Sequence, residues 1–275
     1  MTARPPDHEP IHVLVYGFSG SKKTTLASTF PTPGYVSMFD AYGQDGPFVR
    51  CGDKVERSTS KLGVPVKRVF RKKELVWEIH YYHDEDEEKP DAWNLFTQEQ
   101  AAFDPTKWAT WVGDSVTEAA DAAKYEQQFV VNKNGNMMQW MAGATDQLSI
   151  HFKSRLKRFD CNVVLCAHVA QKYVNMPSFT KGMPSTRIDK RIESAEASED
   201  GGVQLVRGLS APGRLARDGG LAAQFQEVYR AYVVTDAKGT RDFRLQTEND
   251  GEWIAKTQIP APDGCEPHYD ALWGD

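Results

Sequence analysis

The chain has 275 residues, a formal net charge of −5, 40% hydrophobic residues and 11% aromatic residues. That length suits one α/β domain with insertions or two small domains, with apolar residues enough for a sizeable core. The acidic balance excludes a polycation that coats nucleic acid, so any contact with DNA or RNA must come from local basic patches.

Residues 1–10 are polar and proline-rich and read as a loose tail rather than a signal peptide. Val13, Leu14 and Val15 form a short apolar run that stops at Gly17, the pattern of a buried strand. A Gly/Ser turn follows, and Lys22 to Ala27 open a helix that Pro31 and Pro33 end. A second strand over 35–39 ends at Asp40, and 43–52 is a loop. Over 60–91 the texture changes to an inserted β-hairpin, with strands at 64–70 and 75–82 about the basic turn Arg71, Lys72 and Lys73. The acidic run from Asp84 to Glu88 reads as a solvated turn.

A helix over 93–103 leads to a third strand over 108–113, closed by Asp114 and Ser115. Helices over 116–131 and 137–159 follow, the latter with Met141, Leu148, Phe152, Leu156 and Phe159 along one face. Met137, Met138, Trp140 and Met141 read as core and gap-filling residues. A fourth strand over 162–167 ends at His168. Residues 172–208 lose all periodicity, the signature of a mobile functional loop or of disorder. Order returns at 221–226, in a strand over 228–235, and in a partner strand over 241–246. Residues 251–275 read as a tail packed on the surface. Strands alternating with helices predict a mostly parallel sheet.

Cys51, Cys161, Cys166 and Cys265 form no C-x-x-C pair, and Cys161 and Cys166 flank an expected buried strand, so these two are expected to be inert core thiols rather than part of a zinc site. No run approaches the length of a membrane span. Both observations suit a soluble protein of the cytoplasm.

Strand, glycine turn and helix in that order are the context of a phosphate-binding P-loop, in which free N–H groups point into one concavity. Gly17, Ser19, Gly20, Ser21, Lys22, Lys23, Thr24 and Thr25 are the candidate binding residues. Lys23 matches the lysine that reaches the β- and γ-phosphates, and Thr24 the hydroxyl that helps hold Mg²⁺. The second glycine of the pattern is replaced by Lys22. If that position is left-handed, a lysine there costs about 1–2 kcal/mol.

Ligands of open parallel sheets bind beyond the carboxyl ends of the strands, which here gathers the loop, Asp40, Asp114, Ser115 and His168. Asp114 is placed to be a second Mg²⁺ handle with Thr24. An Asp after a strand also serves as a helix N-cap, a role open to Asp114 or Ser115.

The segments VYGFSGSKKTTLA (15–27), FDA (39–41), VGDSV (112–116) and LCAH (165–168) resemble the core of RecA-like ATPases. They are most similar to a compact phage-encoded group of nucleotide-binding and single-strand-annealing proteins. GRLA (213–216) and FQEVYR (225–230) are similar to the late part of those proteins. The resemblance covers 11–39, 108–171 and 213–235, and not the 60–91 hairpin. It implies one RecA-like P-loop NTPase domain over 11–250, with a mostly parallel sheet flanked by helices.

It also implies roles. Lys23 and Thr24 would bind ATP and Mg²⁺, Asp114 would be the Walker B acid, and His168 would report the γ-phosphate to the next loop. That loop would contact single-stranded DNA through Lys172, Lys181, Arg187, Lys190, Arg191 and Arg207, with Tyr173 and Phe179 stacking on bases. Glu193, Glu196, Glu199 and Asp200 lie there too, so a solvated linker accounts for the loop equally well. A satisfied strand-end histidine is the plain alternative for His168. A homo-oligomer and phage recombination partners in the cytoplasm of a bacterial host complete the implied picture.

The family's catalytic glutamate, two residues after the aspartate of the second strand, is Tyr42 here. Asp40 or Asp45 would have to serve as base instead. Lys22 would add charge near the phosphates or face DNA or a neighbouring subunit. Further basic patches are Lys67, Arg68, Arg71, Lys72 and Lys73, and Lys153, Arg155, Lys157 and Arg158. Two competing functions remain: a nucleotide-gated binding protein with little hydrolysis, and a small-molecule P-loop kinase whose lid would lie in 187–217.

Overall fold

The computed structural model describes residues 9–40, 44–175, 203–209, 220–250 and 253–274. Its first strand, β1 (His12–Gly17), sends Val13 and Val15 to one face of a sheet and Leu14 and Tyr16 to the other, all of them buried. A strand that is apolar on both sides needs cover on both sides, which is the setting of a parallel sheet between layers of helix.

The remaining strands, in chain order, are β2 (Gly34–Met38), β3 (Lys54–Thr59), β4 (Pro65–Arg71), β5 (Glu74–Tyr81), β6 (Thr110–Asp114), β7 (Asn162–Asn175), β8 (Val203–Leu209), β9 (Glu227–Thr235) and β10 (Arg241–Gln246). Along the sheet the order is β10-β9-β1-β7-β6-β2-β5-β4-β3, and β8 pairs with β7 alone. The run β9, β1, β7, β6, β2, β5 is parallel throughout, and β10, β4 and β3 are antiparallel additions at the two edges.

The helices are α1 (Lys23–Ser28), α2 (Ala92–Ala101), α3 (Val116–Glu126), α4 (Met137–Leu148) and α5 (Tyr269–Trp273). Trp93, Phe96, Val116, Ala119, Leu148 and Phe152, from α2, α3, α4 and the turn after α4, cover Leu14, Tyr16, Trp111 and Leu165. On the opposite face Leu26, Ala27 and Phe30 pack with Val13, Val15, Val36, Val112 and Cys166. Each large side chain so buried contributes about 1.5–3 kcal/mol of transfer free energy. The chain is therefore a mixed α/β protein with a mostly parallel sheet between helices.

The 60–91 hairpin is present as β4 and β5, but it is part of the main sheet. β5 lies parallel on β2, and β3 adds a third strand for which the sequence pattern gave no sign. The expected 172–208 loop is strand at both ends. β7 runs on to Asn175 and pairs antiparallel with β8, from Val169↔Leu209 to Asn175↔Val203.

Two further expectations fail. Met137 and Met138 are 71% and 83% exposed rather than core: they open the first turn of α4, whose buried residues, Ala144 and Leu148, come later in the helix. The segment after residue 250 is not a surface tail. Trp253, Ala255 and Leu272 are buried, Lys256 bridges Val228, and α5 places Tyr269 and Trp273 against Phe30. Cys161 and Cys166 are buried thiols, as read from their spacing.

Candidate functional site

The parallel strands bring their carboxyl ends to one edge. Gly17 pairs in register with His168, and Met38 with Asp114. The amide of Phe39 donates to the Asp114 carbonyl oxygen at 2.6 Å, which sets Asp40 beside the end of β6. Four residue groups distant in sequence thus meet: the loop after β1, Asp40, Asp114 with α3, and His168.

The loop is shaped by its backbone. Gly20 and Lys22 are both left-handed, at φ 74° and 66°, and bracket Ser21. Such alternation turns successive N–H groups into one anion-binding concavity. Gly17 is sterically required, since a Cβ there would overlap the Ala231 carbonyl oxygen on β9 and stand 2.6 Å from Ser21 Oγ. The Ser21 hydroxyl is buried with no hydrogen-bond partner among the described residues. An orphaned hydroxyl in this position fits a phosphate group.

Lys23 is buried, and its Nζ donates to the carbonyl oxygens of Gly17 and Phe18 at 3.1 and 3.0 Å. Burial lowers its pKa, opposed by Cys166, Asp114 and Asp40. Thr24 Oγ1 donates to Asp114 Oδ2 at 2.6 Å. Asp114 is 1% exposed. Burial, then the Asp40 charge, push its pKa up to about 6 against the Thr24 hydrogen bond and the Lys23 charge. A hydroxyl and a carboxylate so paired are the donor set for Mg²⁺ beside bound phosphate. Ser19 and Gly20 are exposed at the loop tip, and Thr25 continues α1.

Ser115, not Asp114, caps α3. Its Oγ accepts from the Glu118 amide at 3.5 Å and donates to Asp40 Oδ1 at 3.0 Å. The His168 amide donates to Thr117 Oγ1 at 3.1 Å, and burial, then the Lys23 charge, lower the imidazole pKa. Glu118, on the first turn of α3, is a member of this group that sequence reading missed. Its signal was available as the S-x-x-E pattern of a capping box from Ser115 to Glu118, four residues past Asp114.

Other expectations are corrected. Lys22 does not reach toward the loop's concavity: its ammonium lies 4.1 Å from the centroid of the Phe243 ring on β10. Asp45 does not join the site, because it is buried in an ion pair with Lys67. The basic patch on the hairpin is largely neutralised, with Lys67 on Asp45, Arg68 on Glu78 and Arg71 on Asp53. Lys153 and Arg155 lie in the π-helical segment after α4, and Lys157 and Arg158 in the 3-10 turn before β7. Lys172 and Tyr173 are positions of β7 and Arg207 of β8. Tyr42, Phe179, Lys181, Arg187, Lys190 and Arg191 lie outside the described residues.

No family model and no curated protein matches the chain. Solved structures similar to it include the flagellar accessory protein FlaH from Methanocaldococcus jannaschii. That likeness has 8% sequence identity and a TM-score of 0.35, and covers 91% of this chain and 84% of that one. Among the described residues no helix is long and apolar enough to cross a membrane.

Proposed function

We propose that the protein binds and hydrolyses ATP with Mg²⁺ in the loop between β1 and α1. The observation that carries this reading is the 2.6 Å hydrogen bond from Thr24 to Asp114, which joins loop and β6 across 90 residues of sequence. Bound Mg²⁺ would neutralise charge that develops on the transferred phosphoryl group. The chain's own groups do the rest. Lys23 exchanges two loop carbonyls for phosphate oxygens, Ser21 and the loop amides orient the anion, and Thr24 and Asp114 hold the cation. Asp40 is the acid beside them that stands ready to accept a proton from water.

The finer reading, inferred from the sequence resemblance, is action on single-stranded DNA in phage recombination or annealing, by a homo-oligomer. It is supported by the β7–β8 ribbon, which leaves the sheet next to His168 and carries the positions of Lys172, Tyr173 and Arg207. His168, between Gly17 and that ribbon, is the relay in this reading. A second reading, nucleotide-gated binding with little turnover, is favoured by the loss of Asp45 to its pair with Lys67.

The test is phosphate release from Mg-ATP with and without single-stranded DNA, beside Lys23→Ala. DNA-stimulated release that vanishes in the variant supports the full reading. ATP binding without turnover leaves the gated binder, and no ATP binding by the wild type sinks both.

A further inference from the structure

Asp40, Glu118 and His168 come from three elements: the turn after β2, the first turn of α3 and the middle of β7. Each offers one metal-ligating atom, and these atoms all lie within 4.8 Å of one another. We propose that the three side chains form a binding site for a divalent transition-metal ion, distinct from the Thr24–Asp114 pair and loaded without nucleotide.

Three observations carry the assignment. The first is the donor set. Two carboxylates and an imidazole suit ions such as Mn²⁺ or Zn²⁺, whereas Mg²⁺ prefers oxygen ligands and retained water. The second is the state of Asp40, a carboxylate only 8% exposed. Ser115 Oγ donates to one of its oxygens, and among the described residues nothing donates to the other. A buried carboxylate that is half satisfied and faces a second carboxylate favours a cation between them; the Lys23 charge also acts on Asp40, but among the described residues no lysine or arginine forms an ion pair with either acid.

The third is the support behind the ligands. Ser115 orients Asp40 and caps the turn that carries Glu118, while Thr117 holds the backbone of His168. Outer partners of this kind fix ligand geometry and tune affinity. Three donor atoms about 2.1 Å from one tetrahedral ion stand about 3.4 Å apart, so loading draws the group together by at most about 1.4 Å. Glu118 is exposed and has the freedom to make that movement. Three protein ligands leave positions open for water, the form of a reactive rather than a purely structural ion site.

The test uses the full chain, stripped of metal and without nucleotide, titrated with Mn²⁺ while free Mn²⁺ is followed by electron paramagnetic resonance. The expected result is one Mn²⁺ per chain, with affinity at least about 10-fold weaker in His168→Ala and in Glu118→Gln. Spin-echo spectra of the bound ion should show nitrogen coupling that His168→Ala removes. Melting in EDTA checks that both variants are folded, and exposed Glu118 keeps the test valid if His168→Ala is not. No Mn²⁺ bound by the wild type overturns the proposal, as does a bound ion without nitrogen coupling. Binding that survives both substitutions but is lost in Thr24→Ala overturns it too. Because no nucleotide is present, a failure of ATP binding does not bear on this outcome.

Discussion

Lys22 Nζ stands 4.1 Å from the centroid of the Phe243 ring, so the residue that breaks the glycine pattern of the loop clasps β10. Its backbone is left-handed at φ 66°, which costs a lysine about 1–2 kcal/mol. The cation–π contact returns about 0.5–1 kcal/mol at such a site. Lys22→Ala keeps the strain and loses the contact, and is expected to be less stable than wild type by about 0.5–1 kcal/mol. Lys22→Gly removes both and should be about 1 kcal/mol more stable than Lys22→Ala. Urea unfolding of the three proteins checks the order; equal stability of the alanine and glycine variants would show that the loop relaxes.

Asp114→Asn keeps the shape of the side chain that Thr24 contacts and removes its charge. Hydrogen bonds and ion contacts of a charged group contribute about 1.5–3 kcal/mol, so Mg-ATP affinity should fall about 10- to 100-fold. Affinity measured in EDTA should not change. Titration with a fluorescent ATP analogue in both conditions separates the cation handle from a merely structural role.

Two buried histidines give stability opposite dependences on pH. His151 packs against Phe96 with its Nε2 unpartnered among the described residues, and burial, then the Arg155 charge, lower its pKa to about 3. The unfolded chain takes up this proton near pH 6.5 and the folded one does not, so stability is lost as pH falls below 6.5. Between pH 7.5 and 5 the wild type should lose about 2 kcal/mol more than His151→Phe in urea melts.

His80 behaves in the other sense. Burial works against its charge, but Glu78 at 3.0 Å and Glu99 at 2.6 Å outweigh it and raise the pKa. Its contribution is complete below pH 6.5 and fades as pH rises through the raised value. His80→Gln should therefore destabilise the protein more at pH 6 than at pH 9, and an equal loss at both would mean that the imidazole is not charged in the fold.

Gly34 faces Trp77 across β2 and β5, and a Cβ at Gly34 would run into the indole ring. Gly34→Ala should cost about 1–3 kcal/mol through overpacking. Trp77→Leu in the same chain should recover part of that loss, a coupling that a double-mutant cycle measures.

The parts legible in the sequence were those written in local pattern. The run from Val13 to Val15, the glycine turn and Lys23-Thr24 placed the loop, and an apolar strand ending in an acid placed Asp114. What was illegible depended on partners far along the chain. Lys67, Arg68 and Arg71 read as a basic patch because Asp45, Glu78 and Asp53 become their partners only when the strands pair. Strand β3 is almost wholly exposed, so it lacked the apolar signal of a strand. Glu118 showed only as a helix-start residue, since the positions of Asp40 and His168 follow from sheet order.

β7 is one unbroken strand with two employments. It is clamped between β1 and β6 up to Leu165 and paired with β1 up to His168, and from Val169 to Asn175 it is held by β8 alone. At about 3.3 Å per residue, those last seven positions carry the chain roughly 23 Å beyond the sheet edge. A tilt of β7 by a few degrees at its clamp thus becomes a displacement of ångströms at the tip of the ribbon.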